Sequence, residues 1–90
     1  MAELVFEIWN NDDPPSVELC PISKQGDKVR SISTPNARLA HTFSARSDHE
    51  ANQLYYDWNG WGQWKPVPGL PEHHFTDEEA SEQRRYMEIR

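Results

Sequence analysis

The chain has 90 residues, a net charge of −6 at neutral pH, one cysteine and a mean hydropathy of −0.94. At this length it makes one domain that buries only about 60–65% of its unfolded surface, which leaves little room for a deep catalytic cleft. The acidic balance argues against a phosphate-backbone binder, and no apolar run reaches the length of a membrane span. The start lacks the basic-then-apolar pattern of a secretory signal, and Cys20 has no partner for an internal disulfide. The expectation is a cytoplasmic protein that engages neither nucleic acid nor membrane.

In chain order, residues 3–9 alternate, with Leu4, Phe6 and Ile8 on one face and Glu3, Val5, Glu7 and Trp9 on the other, which predicts a half-buried strand. Residues 10–16 form a turn-rich break containing adjacent prolines. A second strand is predicted over 17–22 with Val17 and Leu19 inward, and Pro21 places it at an edge or marks its end. Lys24-Gln25-Gly26-Asp27 reads as a turn, and residues 28–37 fit either a short strand or a helical turn. Residues 38–45 alternate again, with Leu39, His41, Phe43 and Ala45 sharing one side of a third strand.

The best-delimited helix follows at once. Ser47 and Glu50 make an S-x-x-E capping pair, worth about 1 kcal/mol, and Asp48 and Glu50 suit the positive end of the helix dipole. Ala51, Leu54, Tyr55 and Trp58 recur at i, i+3, i+4 and i+7, and Asn59-Gly60 supplies a left-handed stop. A twelve-residue helix is roughly 18 Å long at about 1.5 Å per residue, which matches a strand of about six residues. This helix is expected to fold back over the sheet and set its stripe on Leu39, Phe43, Leu4 and Phe6.

After Gly60 the Gly- and Pro-rich run WGQWKPVPGLP reads as an extended strap, and Thr76 with Glu79 opens a polar stretch with Ala80 and Met87 as its sparse apolar side. The predicted fold is α+β: a three-stranded antiparallel sheet with one helix packed on one face, a Trp/Pro strap and a weakly helical C-terminal tail. Residues 1–68 form the core domain, and 69–90 form an acidic tail, helical from Asp77 and steadied by a partner more than by docking.

Phe43-Ser44-Ala45, Glu50-Ala51 with Tyr55, and Gly60-Trp61 through Trp64 and Pro66 together resemble a group of small uncharacterised bacterial proteins. The resemblance covers roughly residues 3–68. It implies a strand-strand-strand-helix core followed by a Gly-Trp-x-x-Trp-x-Pro strap, and it implies no activity. The tail beyond Gly69 departs from that pattern.

No catalytic set stands out. His41 lies in the apolar register of its strand and reads as a core-margin histidine. His73-His74 lacks a Cys or carboxylate at metal-ligand spacing, and no cofactor or metal site is expected. Cys20 has no neighbouring positive charge to activate it. Neither G-x-S-x-G nor a P-loop occurs, and Asp12-Asp13 and Asp77-Glu78-Glu79 sit in polar stretches that suit solvated faces.

The aromatic cluster carries the functional expectation. Tyr56 faces away from the apolar stripe beside His49, Asn52 and Gln53, and with Trp64 these residues form a candidate partner-binding surface. Trp61 is expected to close the core and Trp64 to be the wetter indole. The reading is a non-enzymatic protein-interaction or regulatory module. Its alternatives are a sugar or flat aromatic ligand stacked on Trp61 and Trp64, a small enzyme using His41 with Asp48 or His49, and an acidic nucleic-acid mimic. Trp9, with Val5, indicates that the second sheet face is also covered, by the tail or by another subunit in a homodimer.

Overall fold

A computed structural model describes residues 2–90, and Met1 lies outside them. Its elements are β1 (Leu4–Asp12), β2 (Pro15–Pro21), α1 (Lys24–Ser33), β3 (Arg38–Ala45), α2 (Asp48–Asn59) and α3 (Asp77–Ile89). The strands form an antiparallel sheet in the order β2-β1-β3, so the α+β architecture read from the sequence is the one the chain adopts. Among the described residues no helix is long and apolar enough to cross a membrane.

Alternation in β1 sends Phe6 and Ile8 to the face that α2 covers, and both are buried. Phe6 sits opposite Phe43 in the register, and their rings stack at 5.6 Å. Ala45 and Ala51 let α2 approach the sheet, while Leu4, Leu19, Leu54 and Phe75 pack around them. Burying a side chain as large as Phe6 contributes about 1.5–3 kcal/mol. Phe75, donated by the far end of the strap, is held in place because its N–H bonds to the Arg46 carbonyl at 2.9 Å.

The capping of α2 differs from the reciprocal box in one arm. Ser47 Oγ accepts from Glu50 N–H at 3.1 Å, but the Glu50 carboxylate takes the Arg46 N–H instead of that of Ser47. Gly60, at φ 72°, provides the left-handed stop.

Three local readings change. The segment 24–33 is helical: Ser23 Oγ caps α1 by accepting from Gly26 N–H, and the Lys24–Asp27 run forms the first turn of that helix. Gly26 serves close approach, since a Cβ there would lie 2.9 Å from Ser23 Oγ and 3.3 Å from the Pro21 carbonyl oxygen. The hairpin ladder reaches Asp12 and Pro15, further than the turn-rich composition of 10–16 indicates, because an edge strand tolerates proline at its ends. In β3 a register shift sets Leu39 opposite Trp9, with Ala40 as the extra residue, and leaves Leu39 half exposed and outside the core.

The second sheet face is covered from within the chain. Trp9 lies beneath the Arg30 guanidinium of α1, 3.6 Å from its ring centroid. The tail forms α3, with both arms of the Thr76/Glu79 capping box in place. It docks at the end of β1 through Gln83 and reaches the second face through Arg90.

Candidate functional site

The aromatic residues gather where α2 ends and the strap begins. Trp61 N–H bonds to the Tyr56 carbonyl at 3.0 Å, which turns the chain back along the helix. Gln53 then ties the strap down with both ends of one amide. Its Oε1 accepts from Trp64 N–H at 3.0 Å, and its Nε2 donates to the Gly62 carbonyl at 3.3 Å and to Asp57 Oδ1 at 2.9 Å.

The consequence is a set of fixed rings. Trp61 meets Tyr55 at 5.4 Å and 81° and Tyr56 at 5.3 Å and 90°, both edge-on, yet keeps 51% of its surface exposed. Trp64 tilts against His49 at 5.0 Å and is half-buried. Trp58 stacks on His41 at 5.9 Å and 10° and is 41% exposed.

These positions reverse several expectations. Trp61 is the wet indole and Trp64 the sheltered one, because the Gln53 clip pulls Trp64 onto the helix. Trp61 and Trp64 therefore belong to different ring clusters, one with the tyrosines and one with His49. Tyr56 is half-buried against Trp61 and does not stand free in a polar patch. Trp58 leaves the core because β3 is the last strand of the sheet and its aromatic neighbour there is His41. Asn52 is half-buried on α2, and Gln53 has a structural task.

A polar cluster joins the starts of α2 and α3. Ser47 Oγ donates to Glu72, whose carboxylate also lies 3.9 Å from His49 and 3.6 Å from His74. His73 Nε2 sits 2.9 Å from Glu79. The Glu79 carboxyl is held below the usual carboxylate range by the Thr76 backbone N–H, which with His73 outweighs the effect of burial. Asp48 accepts from the N–H groups of His49 and His73. Among the described residues no group of three or more His, Cys, Asp or Glu side chains is arranged to hold a metal ion. His41 has Trp58 and Phe43 as ring neighbours, while Asp48 accepts from backbone N–H groups. Cys20 is half-buried, and burial first, then Glu18 and Glu7, raises its thiol pKa, which keeps it protonated at neutral pH.

The residues that sequence reasoning missed lie on the second face. Glu7, only 4% exposed, receives Arg90 Nη1 at 3.0 Å and Nη2 at 2.6 Å. Arg90 also donates to Asp27, which accepts from Tyr86 and Arg30 as well. Burial alone would raise the Asp27 carboxyl, but hydrogen bonds from Tyr86, Arg90 and Arg30 outweigh it and hold it low. The Arg90 guanidinium is held charged chiefly by Glu7. Among the described residues, Arg30 Nε is buried without a hydrogen-bond partner, an imperfection offset by its seat over Trp9. The signal for this network was Glu7 itself, an acid between Val5 and Trp9 on a face already inferred to be covered.

Surface relief separates these regions. A groove of about 340 Å³ runs between Pro21–Lys24 and α3, and another of about 370 Å³ between β2 and α1. Neither is lined by the aromatic cluster. No protein-family model, curated protein or solved structure matches the chain.

Proposed function

We propose that the protein is a non-enzymatic, cytoplasmic interaction module whose contact surface is the aromatic end of α2 with the start of the strap. The observation that carries this reading is Trp61: half exposed, yet held edge-on by two tyrosines and by its own backbone bond to Tyr56. Holding a large apolar ring half in water costs hydration free energy, and partner contact recovers it. Little ordering entropy remains to be lost on binding, because the ring is already fixed. Trp58, 41% exposed on His41, extends the same kind of surface toward β3. The partner reading is further supported by the residues that line the two grooves described above, which are not those of the aromatic surface, since half-exposed, fixed aromatic rings suit contact with a macromolecule.

The test is recovery of partners from the source cell's lysate by wild type and by a Trp58→Ala, Trp61→Ala double variant with an unchanged thermal midpoint. A partner held by the wild type and lost by the variant supports the reading, and equal recovery overturns it. The exposed indole of Trp61 also favours a second reading, stacking of a sugar or flat aromatic ligand on that ring. Saturable quenching of tryptophan emission that disappears in Trp61→Phe supports that one, and no response across a sugar and nucleotide panel removes it.

A further inference from the structure

The attachment of α3 differs in kind from that of α2. Of its apolar residues only Ala80 is buried; Met87 is 42% and Ile89 82% exposed. What holds it is a small number of directed polar contacts. Gln83 Oε1 accepts from Val5 N–H at 2.7 Å, and its Nε2 donates to the carbonyls of Val5 at 2.9 Å and Ile22 at 3.0 Å. The amide thus completes the ladder at the point where β2 turns away from β1. Beyond the helix, Arg90 spans Glu7 of β1 and Asp27 of α1, and the Tyr86 hydroxyl also reaches Asp27.

We infer that α3 is a releasable cover on the sheet, locked by Arg90 and Gln83, which opens as a unit while β1, β3 and α2 stay folded. Three features carry this. Little apolar area resists separation, so no large hydrophobic cost accompanies opening. The lock is short-ranged and directional, so it is either made or lost. The helix has its own capping box, with Thr76 Oγ1 accepting from Glu79 N–H and Glu79 Oε1 accepting from Thr76 N–H, so its start does not depend on the sheet. Opening uncovers Glu7, whose only guanidinium contact is Arg90 among the described residues, and frees the Val5 N–H and the Ile22 carbonyl, while the Val5 carbonyl keeps the Ile22 N–H. These are unpaired strand groups and a carboxylate, the features by which a strand end recruits a polar or cationic segment.

The lock is also acid-sensitive in a defined direction. Glu7 on β1, Asp27 and Arg30 on α1, Tyr86 and Arg90 at the end of α3, and Glu18 and Cys20 on β2 are the titratable and charged groups of this region. Protonating Asp27 weakens its hydrogen bonds with Arg90 and Tyr86, so acid loosens the cover and neutral pH closes it.

Native-state hydrogen exchange on the full chain tests the inference. Val5 N–H is the local reporter, because its partner is Gln83, and Ile8, fully buried, reports the sheet. In wild type at low denaturant, Val5 and the α3 amides are expected to exchange through a smaller opening free energy than Ile8. Arg90→Ala is expected to speed Val5 and α3 at least about tenfold, with Val5 and α3 still opening through a smaller free energy than Ile8. A shared opening free energy for Val5 and Ile8 in wild type overturns the inference whether or not the variant folds. An unchanged Val5 rate in Arg90→Ala overturns the assignment of Arg90 as the lock.

Discussion

The two faces of one small sheet are covered by opposite means. On the first, Phe6, Phe43 and Ala45 meet Ala51, Leu54 and Phe75 in an apolar seam. On the second, Glu7, Asp27, Arg30, Tyr86 and Arg90 share charge-assisted hydrogen bonds, with Trp9 beneath them. Apolar contact is additive and tolerant of shape, so the first face supplies stability. A buried ion network depends on every member, so the second face supplies placement of α1 and α3 more than net free energy.

The largest expected effect is on the first face: Phe6→Ala removes a ring that touches both Phe43 and Phe75, for a loss of about 3–5 kcal/mol in denaturant unfolding. Arg90→Ala, which leaves Glu7 buried without its counter-charge, is expected to cost about 3 kcal/mol. The paired change Glu7→Leu with Arg90→Leu should recover most of that loss. If the pair costs as much as both singles summed, the two faces do not differ in the way described. Gln83→Leu strands the Val5 N–H and the Ile22 carbonyl, while the Val5 carbonyl keeps the Ile22 N–H, for about 2–3 kcal/mol.

Acid separates the faces next. Because the folded Asp27 carboxyl sits below its unfolded value, its contribution is present above about pH 4 and is lost as pH falls through the lower folded value. Asp27→Asn should flatten that part of the stability curve, measured by thermal unfolding between about pH 5 and 2. The smallest effect is at the exposed Arg38–Asp12 pair, where Arg38→Ala should change stability by under about 0.5 kcal/mol.

Legibility in the sequence followed the same division. The first face could be read, since alternation in β1, the Ser47 cap and the Gly60 stop are local patterns that hold wherever the chain goes. Helix α1 was obscured by Gly26, which signals a turn by composition but serves a close approach to Ser23 and Pro21. Cover on the second face could be read from Trp9 and Val5, but its pairing could not, because Glu7 with Arg90 joins residues from opposite ends of the chain and leaves no spacing to detect. The aromatic cluster was located correctly to α2 and the strap, but exposure was assigned to the wrong indole. Burial of Trp64 is decided by the Gln53 clip, a side-chain contact that no periodicity announces.

The extra residue at Ala40 has a consequence for the molecule's behaviour in a crowd. The outer side of β2 carries prolines at both ends, which discourage any further strand, whereas β3 has none. There the register shift beside Ala40 bends the only unguarded ladder of the sheet. Removing Ala40 is expected to straighten β3 and offer a smooth run of backbone donors and acceptors to the same strand of a neighbouring molecule, so this one irregular residue works against edge-to-edge pairing.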